Sequence, residues 1–323
     1  MNNIIVYLFF KAQLLVKRAL SPAHRITAII QTKLFSSYYK NYKEIQGLID
    51  AKLKNRVCLF SHFDKNNRIE EYVIFYLKAL QENDCAIFFI TTSQNIDQKY
   101  IDLIKPYIVS VLVRPNCGLD FGSFCTGMKK VREYPHFQQL IFANDSVYGP
   151  ISPLKNVFDA MKAKKADVFG ITDSWQVAYH LQSYFLIFNR TVFTGSVFTE
   201  FFNNFKFSYN KHLIISEYEV GLSKLLIKND YKVEVLCNSF EVARAFSSKN
   251  QQYSAIINKL QSINYTHYFW KILIEEFNCP FIKRDLVAYN PVNIEDIQLW
   301  PEVLKTKYDI RLIESHLRRF ITK

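Results

Sequence analysis

Glycine and proline are scarce in this chain, and several kinds of motif are missing altogether. The 323 residues include 8 Gly and 9 Pro, which argues against a β-sandwich and against a disordered chain. The six cysteines are widely spread without a C-x-x-C pair, so neither a zinc site nor a disulfide framework is predicted, and a reducing compartment is favoured. No uncharged apolar run reaches the roughly 18–20 residues that a membrane-spanning helix needs.

The excess of basic side chains is the main compositional feature. Lys and Arg total 41 against 29 acidic residues, which gives a formal net charge of +12. Such a charge attracts polyanions, whether nucleic acids, anionic lipid headgroups or nucleotide diphosphates. A non-catalytic nucleic-acid-binding or membrane scaffold protein is one interpretation, although the sequence contains no helix-turn-helix, zinc-finger or RNP-like motif. An NAD-dependent enzyme is disfavoured because no G-x-G-x-x-G follows the first predicted strand.

Residues 1–20 are the one candidate targeting segment. Their apolar stretch is followed by Lys11, Lys17 and Arg18, and Lys11 and Arg18 share one face of a helix. Because the charges follow the apolar stretch and no small-residue cleavage site comes after it, a signal peptide is not predicted. The segment is predicted either to lie in a membrane interface or to pack on the protein's own surface.

From residue 56 onward, apolar strands alternate with amphipathic helices. Strands are predicted at 56–62, 85–91, 108–114, 139–143, 167–172 and 184–188. This alternation is typical of an α/β domain whose mostly parallel sheet is flanked by helices. We expect a helical amino-terminal segment (1–50), a central α/β domain (51–245) and a helical carboxy-terminal region (246–323). Ligands of such sheets bind beyond the carboxyl ends of the strands, so the polar residues that follow each strand are the candidate site.

The third predicted strand leads into Asn116, Gly118, Asp120 and Gly122. The two glycines allow the backbone to approach a ligand closely, and the first amides of the following helix suit a phosphate. The alternative is that Asp120 is the helix N-cap and that the glycines only make the turn.

The fourth predicted strand is followed by Asn144, Asp145 and Ser146. An Asp at this position can hold a divalent cation that also touches phosphate oxygens, because Mg²⁺ typically needs only one or two carboxylates. Asp145 is therefore the candidate metal ligand. The alternative is an Asx turn that ends at Gly149 and Pro150.

Two further groups of polar residues stand at the starts of elements. His180, Gln182 and Ser183 precede an apolar strand, and a lone His in such a place is often structural. Farther along, Ser216 and Glu219 have the spacing of a capping box. Glu217 is then the freer carboxylate and the better candidate for a general base.

Five segments together resemble the rhamnan synthesis protein F family, bacterial enzymes that build rhamnose-containing and related surface polysaccharides. They are NCGLDFGSF (116–124), IFANDSVYGPISPL (141–154), DVFGITDS (167–174), HLQSYFLIF (180–188) and EYEVGLS (217–223). A further stretch, residues 266–291, resembles the carboxy-terminal segment of many capsule and lipopolysaccharide transferases. Five matches in the same order and spacing are far more specific than any single one.

The resemblance implies a GT-A-like fold and a glycosyltransferase. The expected reaction moves a sugar, rhamnose or a related hexose, from a nucleotide-sugar donor to a growing cell-surface polysaccharide such as capsule or O-antigen, and dTDP-rhamnose is the obvious donor. The expected acceptor is a lipid-linked saccharide. The protein is accordingly expected to be cytoplasmic and peripherally associated with the inner face of the plasma membrane, with no nucleic-acid partner.

The resemblance also suggests roles for the polar residues. Asp145 is expected to orient the diphosphate, directly or through Mg²⁺ or Mn²⁺, although Asn144-Asp145-Ser146 supplies one carboxylate where the usual D-x-D motif has two. Glu217 is the expected base, with Glu219 as its substitute, in an inverting reaction. The remaining residues are expected to contact the donor or shape its pocket: Asn116, Gly118, Asp120, Gly122, Asn144, Ser146, His180, Gln182 and Ser183.

Overall fold

The computed structural model describes residues 41–249 and 259–321, together with residues 22–23, 26–30 and 33. The membrane-interface helix predicted for residues 1–20 lies outside the described residues. Within the described part, no helix is both long enough and apolar enough to cross a membrane.

Strands and helices alternate along most of the described chain. The strands are β1 (Lys43–Gln46), β2 (Arg56–His62), β3 (Cys85–Thr91), β4 (Ser110–Val113), β5 (Gln139–Asn144), β6 (Val147–Tyr148), β7 (Val168–Ser174), β8 (His180–Leu181), β9 (Phe185–Asn189), β10 (Val233–Cys237) and β11 (Ile282–Lys283). The first eight α-helices are α1 (Glu71–Glu82), α2 (Gln98–Ile104), α3 (Leu119–Glu133), α4 (Leu154–Lys164), α5 (Arg190–Phe193), α6 (Ser196–Asn203), α7 (Lys211–Ile214) and α8 (Val220–Lys228). The later ones are α9 (Ser239–Lys249), α10 (Tyr265–Tyr268), α11 (Trp270–Glu275), α12 (Arg284–Tyr289), α13 (Trp300–Leu304) and α14 (Arg311–Ile321). A π-helical turn, Ile215–Glu219, joins α7 to α8.

Nine strands form one mixed sheet in the order β1-β4-β3-β2-β5-β9-β7-β10, with β8 paired to β7. The pairs β2–β3, β2–β5, β3–β4 and β7–β10 are parallel. Strand β9 is antiparallel to both of its neighbours, β5 and β7. The α/β class with a mostly parallel sheet flanked by helices is therefore confirmed, and six strands end at the same edge.

The central strands are buried on both faces. Along β2, Cys58 and Phe60 enter one hydrophobic cluster while Val57 and Leu59 enter the other. Helices α1 and α4 cover the first face, and α3, α6 and α8 cover the second. Burial on both sides explains why these strands are nearly continuous apolar runs in the sequence.

The two ends of the described chain belong to the same body as the sheet. Trp270, Leu286 and Leu304 from the carboxy-terminal region lie in one hydrophobic cluster with Tyr76 of α1. Residues 43–46, expected within a helical amino-terminal segment, instead form β1, which pairs antiparallel with β4. Its four residues are half-exposed and include two charged side chains, so β1 lacks the apolar pattern that marks the inner strands.

Candidate active site

The carboxyl ends of β2 and β5 lie side by side and carry polar side chains. The register of this parallel pair sets Ser61 opposite Asn144. Because β9 runs in the opposite direction, its amino-terminal end reaches the same edge, where the Asn144 amide donates to the Tyr184 carbonyl over 3.3 Å. These ends meet at the edge where ligands of mostly parallel sheets bind.

Asp120 joins this edge from the first turn of α3. Ser61 Oγ donates to its Oδ1 over 2.8 Å, and Asn144 Nδ2 donates to its Oδ2 over 2.9 Å. The N-cap of α3 is Gly118, so the alternative in which Asp120 only caps the helix is wrong. Burial raises the pKa of the Asp120 carboxyl to about 6, and the nearby Asp145 and Glu219 act in the same direction. A carboxyl with such a perturbed pKa at a strand-end site is a functional candidate.

Asp145 faces a cation from the carboxy-terminal region. Arg284 Nη1 donates to Asp145 Oδ2 over 3.1 Å and to the Tyr72 hydroxyl oxygen over 2.8 Å. Tyr72 donates its own hydroxyl proton to the Asp145 carbonyl over 3.1 Å. The Asp145 side chain is 9% exposed and that of Arg284 is 29% exposed. The guanidinium therefore neutralises a carboxylate that is largely withdrawn from solvent, and the contacts fix both side chains.

This arrangement does not fit the divalent cation expected at Asp145. A metal ion on Oδ2 would have to displace Arg284, and both carboxylate oxygens of Asp120 already accept hydrogen bonds from the protein. Over the described ranges, no group of three or more His, Cys, Asp or Glu side chains is placed to hold a metal ion. Four carboxylate and amide oxygens at this edge, Asp145 Oδ2, Asp120 Oδ1 and Oδ2 and Asn144 Oδ1, are thus engaged by protein donors, unlike the open oxygen ligands of a preformed Mg²⁺ or Mn²⁺ site.

Asn144 and Ser146 build the turn that carries Asp145. The amide and the hydroxyl of Ser146 donate to Asn144 Oδ1 over 3.1 and 2.6 Å, which is the Asx turn allowed by the sequence. The Ser146 carbonyl then accepts the Arg284 amide over 2.9 Å, next to the β6–β11 pairing. The two residues thus set the relative positions of Asp145 and Arg284, and contact with a donor remains a prediction for them.

Glu219 lies at the same edge of the sheet. Its Oε1 accepts the amide and the hydroxyl of Ser183 over 2.9 and 2.7 Å. The capping box predicted for Ser216 and Glu219 is wrong, because the chain is already helical from Lys211 and neither residue is at a helix start. Freed from that role, the Glu219 carboxylate is held at the amino-terminal end of β9 and influences Asp120 electrostatically.

Glu217, two residues before Glu219 in the sequence, does not lie with it at the strand-end edge. It lines a cavity of about 590 Å³ together with Glu200, Phe201 and Tyr218. The walls of this cavity, as far as they belong to the described residues, do not include Asp120, Asp145 or Glu219. Of the two expected base candidates, the structure brings Glu219 to the strand-end group and leaves Glu217 outside it.

The loop before α3 is packed tightly against its own helix. Gly118 has φ +85°, and a Cβ on Gly122 would lie 2.4 Å from the Cys117 carbonyl oxygen. Arg114 is fully buried beneath the loop and donates to that same carbonyl. Packing accounts for both glycines, which were expected to contact the donor, whereas Asn116 is exposed at the loop and is available to a ligand.

His180 and Gln182 make internal contacts. His180 is buried and its Nδ1 donates to the Ala178 carbonyl over 2.8 Å. Thr172 Oγ1, on β7, donates over 2.7 Å to Oε1 of Gln182, which directly follows β8. These contacts favour the structural interpretation of His180, while Ser183 connects the same segment to Glu219.

The sequence did not single out the two cations of the site, Lys283 and Arg284. Lys283 Nζ lies 3.9 Å from the centroid of the Tyr184 ring, and burial lowers the pKa of its ammonium group. Ser61 and Tyr72, which hold Asp120 and Asp145, were also missed. The available signal was the run Phe281-Ile282-Lys283-Arg284-Asp285, where two adjacent basic residues interrupt an apolar segment.

Comparison with known proteins gives relatives that match over much of the chain. The virulence protein VirA of Vibrio anguillarum is 27% identical over 265 residues, which cover 76% of this chain and 83% of that protein. An uncharacterized protein, y4gN, of Sinorhizobium fredii is 25% identical over 150 residues, or 45% of this chain and 39% of that protein.

Solved structures show weaker similarity. The glycosyltransferase GlyE of Streptococcus pneumoniae TIGR4 matches with a TM-score of 0.45 and 10% identity, over 83% of this chain and 63% of that one. A cytidylyltransferase of Leptospira borgpetersenii matches with a TM-score of 0.35 and 13% identity, over 65% of this chain and 98% of that one. The assignment to a family rests instead on the sequence: the model of the family described as rhamnan synthesis protein F matches residues 87–322, well over half of the chain, and the chain therefore belongs to that family.

Proposed function

We propose that this protein is a glycosyltransferase that moves a sugar, rhamnose or a related hexose, from a nucleotide-sugar donor to a growing cell-surface polysaccharide. The observation that carries the proposal is a convergence of separate segments at one edge of the sheet. A hydrogen bond there connects Asp120 with Asn144, an ion pair connects Asp145 with Arg284, and two hydrogen bonds connect Ser183 with Glu219. Membership of the family supports the same activity.

Glu219 is the proposed general base. A base must reach the acceptor hydroxyl in the site, and the Glu219 carboxylate lies at the strand-end edge while Glu217 lines a separate cavity. Only Oε1 of Glu219 receives hydrogen bonds from Ser183, which orients the group and leaves Oε2 to face a ligand. Ser183 is then a positioning residue for the base.

Asp120 and Asn116 are the proposed contacts to the donor. The carboxyl of Asp120 is fixed by Ser61 and Asn144, and such a fixed acceptor suits a sugar hydroxyl. Asn116 is exposed in the loop before α3 and offers an amide to the nucleotide or the sugar. A neutral sugar ring would thus lie nearer the carboxylates, and the charged diphosphate nearer the cations.

The proposed acceptor is a lipid-linked saccharide at the inner face of the plasma membrane. Residues 1–20 combine an apolar stretch with Lys11, Lys17 and Arg18. Each basic residue near an anionic leaflet contributes about 1 kcal/mol of binding free energy. Holding the enzyme at that surface would raise the effective concentration of a lipid-linked acceptor.

A thermal-shift screen against dTDP-, UDP- and GDP-sugars, with and without Mn²⁺, tests the proposal. A sugar nucleotide at one hundred times its dissociation constant should add about 2.7 kcal/mol to the free energy of unfolding. Stabilisation by at least one of the three classes is the expected result. Absence of any stabilisation, combined with salt-dependent binding to DNA, would instead support the basic scaffold protein that the net charge of +12 also permits.

A further inference from the structure

Lys283 is a partly buried cation that forms no ion pair among the described residues. Within the described ranges, no hydrogen bond or ion pair holds its ammonium group, which lies over the Tyr184 ring, 3.9 Å from its centroid. The charges of Asp285, Glu219 and Asp120 act on it only from beyond ion-pair distance. Removing an ammonium group from water without a compensating hydrogen bond is costly. The residue lies beside Arg284, whose own carboxylate partner is at the strand-end edge. An unpartnered, partly buried cation next to a proposed donor site indicates an anionic ligand.

We propose that Lys283 and Arg284 bind the diphosphate of the sugar nucleotide directly and take the place of a divalent cation. This inference rests on the proposed function and names the groups that recognise the leaving group. The two cations stand at the junction of β11 and α12, and both act at the strand-end edge: Arg284 pairs with Asp145, and the charges of Glu219 and Asp120 act on Lys283. A diphosphate carries the charge that such a pair complements.

Neighbouring groups hold the Arg284 side chain in a fixed position for this contact. Nη1 is used by Asp145 and Tyr72, and the backbone amide is used by the Ser146 carbonyl. Those contacts fix the guanidinium plane, while 29% of the side chain stays exposed. A fixed guanidinium binds phosphate oxygens through two parallel N–H donors, at a smaller entropic cost than a mobile one.

Most of the oxygen atoms that could bind a divalent cation at the edge already accept hydrogen bonds from the protein. Oδ2 of Asp145 is occupied by Arg284, and Oδ1 and Oδ2 of Asp120 accept from Ser61 and Asn144. Oδ1 of Asn144 is likewise engaged, by Ser146. Positive charge is nevertheless required where a diphosphate leaves, and the two basic side chains supply it.

These groups account for every bond, electron pair and proton in the transfer step. The bond between the anomeric carbon and the diphosphate oxygen breaks, and its electron pair stays on that oxygen, where Lys283 and Arg284 stabilise the developing charge. The acceptor hydroxyl oxygen forms the new bond to the anomeric carbon. Its proton moves to Glu219, which releases it to water after product leaves.

The test measures the affinity of the full chain for dTDP, UDP and GDP by calorimetry, once in excess EDTA and once with Mn²⁺. At least one nucleoside diphosphate should bind, with affinities in the two conditions that agree within about three-fold, because protein cations and not a metal meet the phosphates. Lys283→Gln should weaken that binding about ten- to a hundred-fold, the usual effect of losing a charge-assisted hydrogen bond. Lys78→Gln is the matched control, since Lys78 is exposed on α1 and pairs with Glu82, and its affinity should equal that of the wild type.

Different results would contradict the inference about Lys283 and Arg284 and the proposed glycosyltransferase function. Binding that appears only with Mn²⁺ and is unchanged by Lys283→Gln would overturn the inference and leave the proposed glycosyltransferase standing. Failure of all three nucleotides to bind in either condition would overturn the proposed function, and the inference with it. Because the comparison of EDTA with Mn²⁺ is made on the wild-type chain, the test does not depend on whether a variant folds.

Discussion

Arg284 Nη1 lies 3.1 Å from Asp145 Oδ2, which joins two residues that are 139 positions apart in the sequence. This ion pair ties the carboxy-terminal region to the end of β5. It places a cation where the sequence led us to expect a metal ion. The pair supports a proposal in which Asp145 orients an arginine, while its role as a metal ligand stays a prediction.

The first prediction tests the ion pair between Asp145 and Arg284 by removing one partner and then both. Arg284→Gln should lower the free energy of unfolding by about 1–3 kcal/mol, because it leaves a carboxylate that is 9% exposed without its cation. The double variant Asp145→Asn with Arg284→Gln should recover most of that stability but not the affinity for nucleotide. Urea unfolding and nucleotide titration of the three proteins check this. Full nucleotide affinity in Arg284→Gln would contradict the role given to the arginine.

The second prediction compares two carboxylates on the same turn of helix. Glu219→Gln should reduce turnover by on the order of 10²–10⁴-fold with little change in donor affinity, as expected for a general base. Glu217→Gln should leave turnover close to that of the wild type, because Glu217 lines a separate cavity. Steady-state rates with a soluble acceptor measure both. A large loss in Glu217→Gln alone would restore that residue as the base.

The third prediction concerns pH and Asp120. Burial raises the pKa of this carboxyl from 3.8 to about 6 in the folded protein, so between these values the folded state binds the proton more tightly than the unfolded state. The contribution of Asp120 to stability therefore falls as pH rises from about 4 to about 6 and stays at its lower value above that. Urea unfolding at several pH values should show a less negative slope in this window for Asp120→Asn than for the wild type. Parallel slopes in the two proteins would refute the raised pKa.

The fourth prediction concerns the segment that precedes the described residues. Deleting residues 1–20 should release the protein from membrane fractions and slow transfer to a lipid-linked acceptor, while transfer to a short soluble acceptor survives. High salt should partly mimic the deletion, because salt screens the charges of Lys11, Lys17 and Arg18 but not the apolar contacts. Fractionation and parallel assays with the two acceptors test this. An insoluble or unfolded product would mean that the segment belongs to the domain's own core.

Much of the sheet could be predicted from the sequence because its strands are buried on both faces. The strands predicted at 56–62 and 85–91 have those bounds in the structure, and the one at 139–143 extends by a single residue. Each is a continuous apolar run with polar residues at its end, which is the pattern of an inner parallel strand. β1 was not predicted because an edge strand of four half-exposed residues does not form a continuous apolar run.

The candidate site was predicted only in part because its contacts are long-range. Asp120, Asn144 and Asp145 were found by the rule that polar residues after strands face ligands. Lys283 ends the two-residue strand β11 and Arg284 follows it, and because β11 pairs with β6 and not with the main sheet, the same rule did not reach them. The preference for Glu217 over Glu219 rested on Ser216 as a helix start, and that helix start was wrong because the helix begins upstream at Lys211.

The measurement that tests the central claim most directly is transfer of labelled sugar by the purified full chain. Labelled dTDP-rhamnose, UDP-hexoses and GDP-hexoses would each be incubated with membranes that contain lipid-linked saccharide, and the label in the lipid-linked fraction would be counted. The account predicts incorporation from at least one donor by the wild type, and its loss in Glu219→Gln, with Glu217→Gln as the active control. Failure of the wild type to incorporate label from any donor, or equal incorporation by Glu219→Gln, would contradict it.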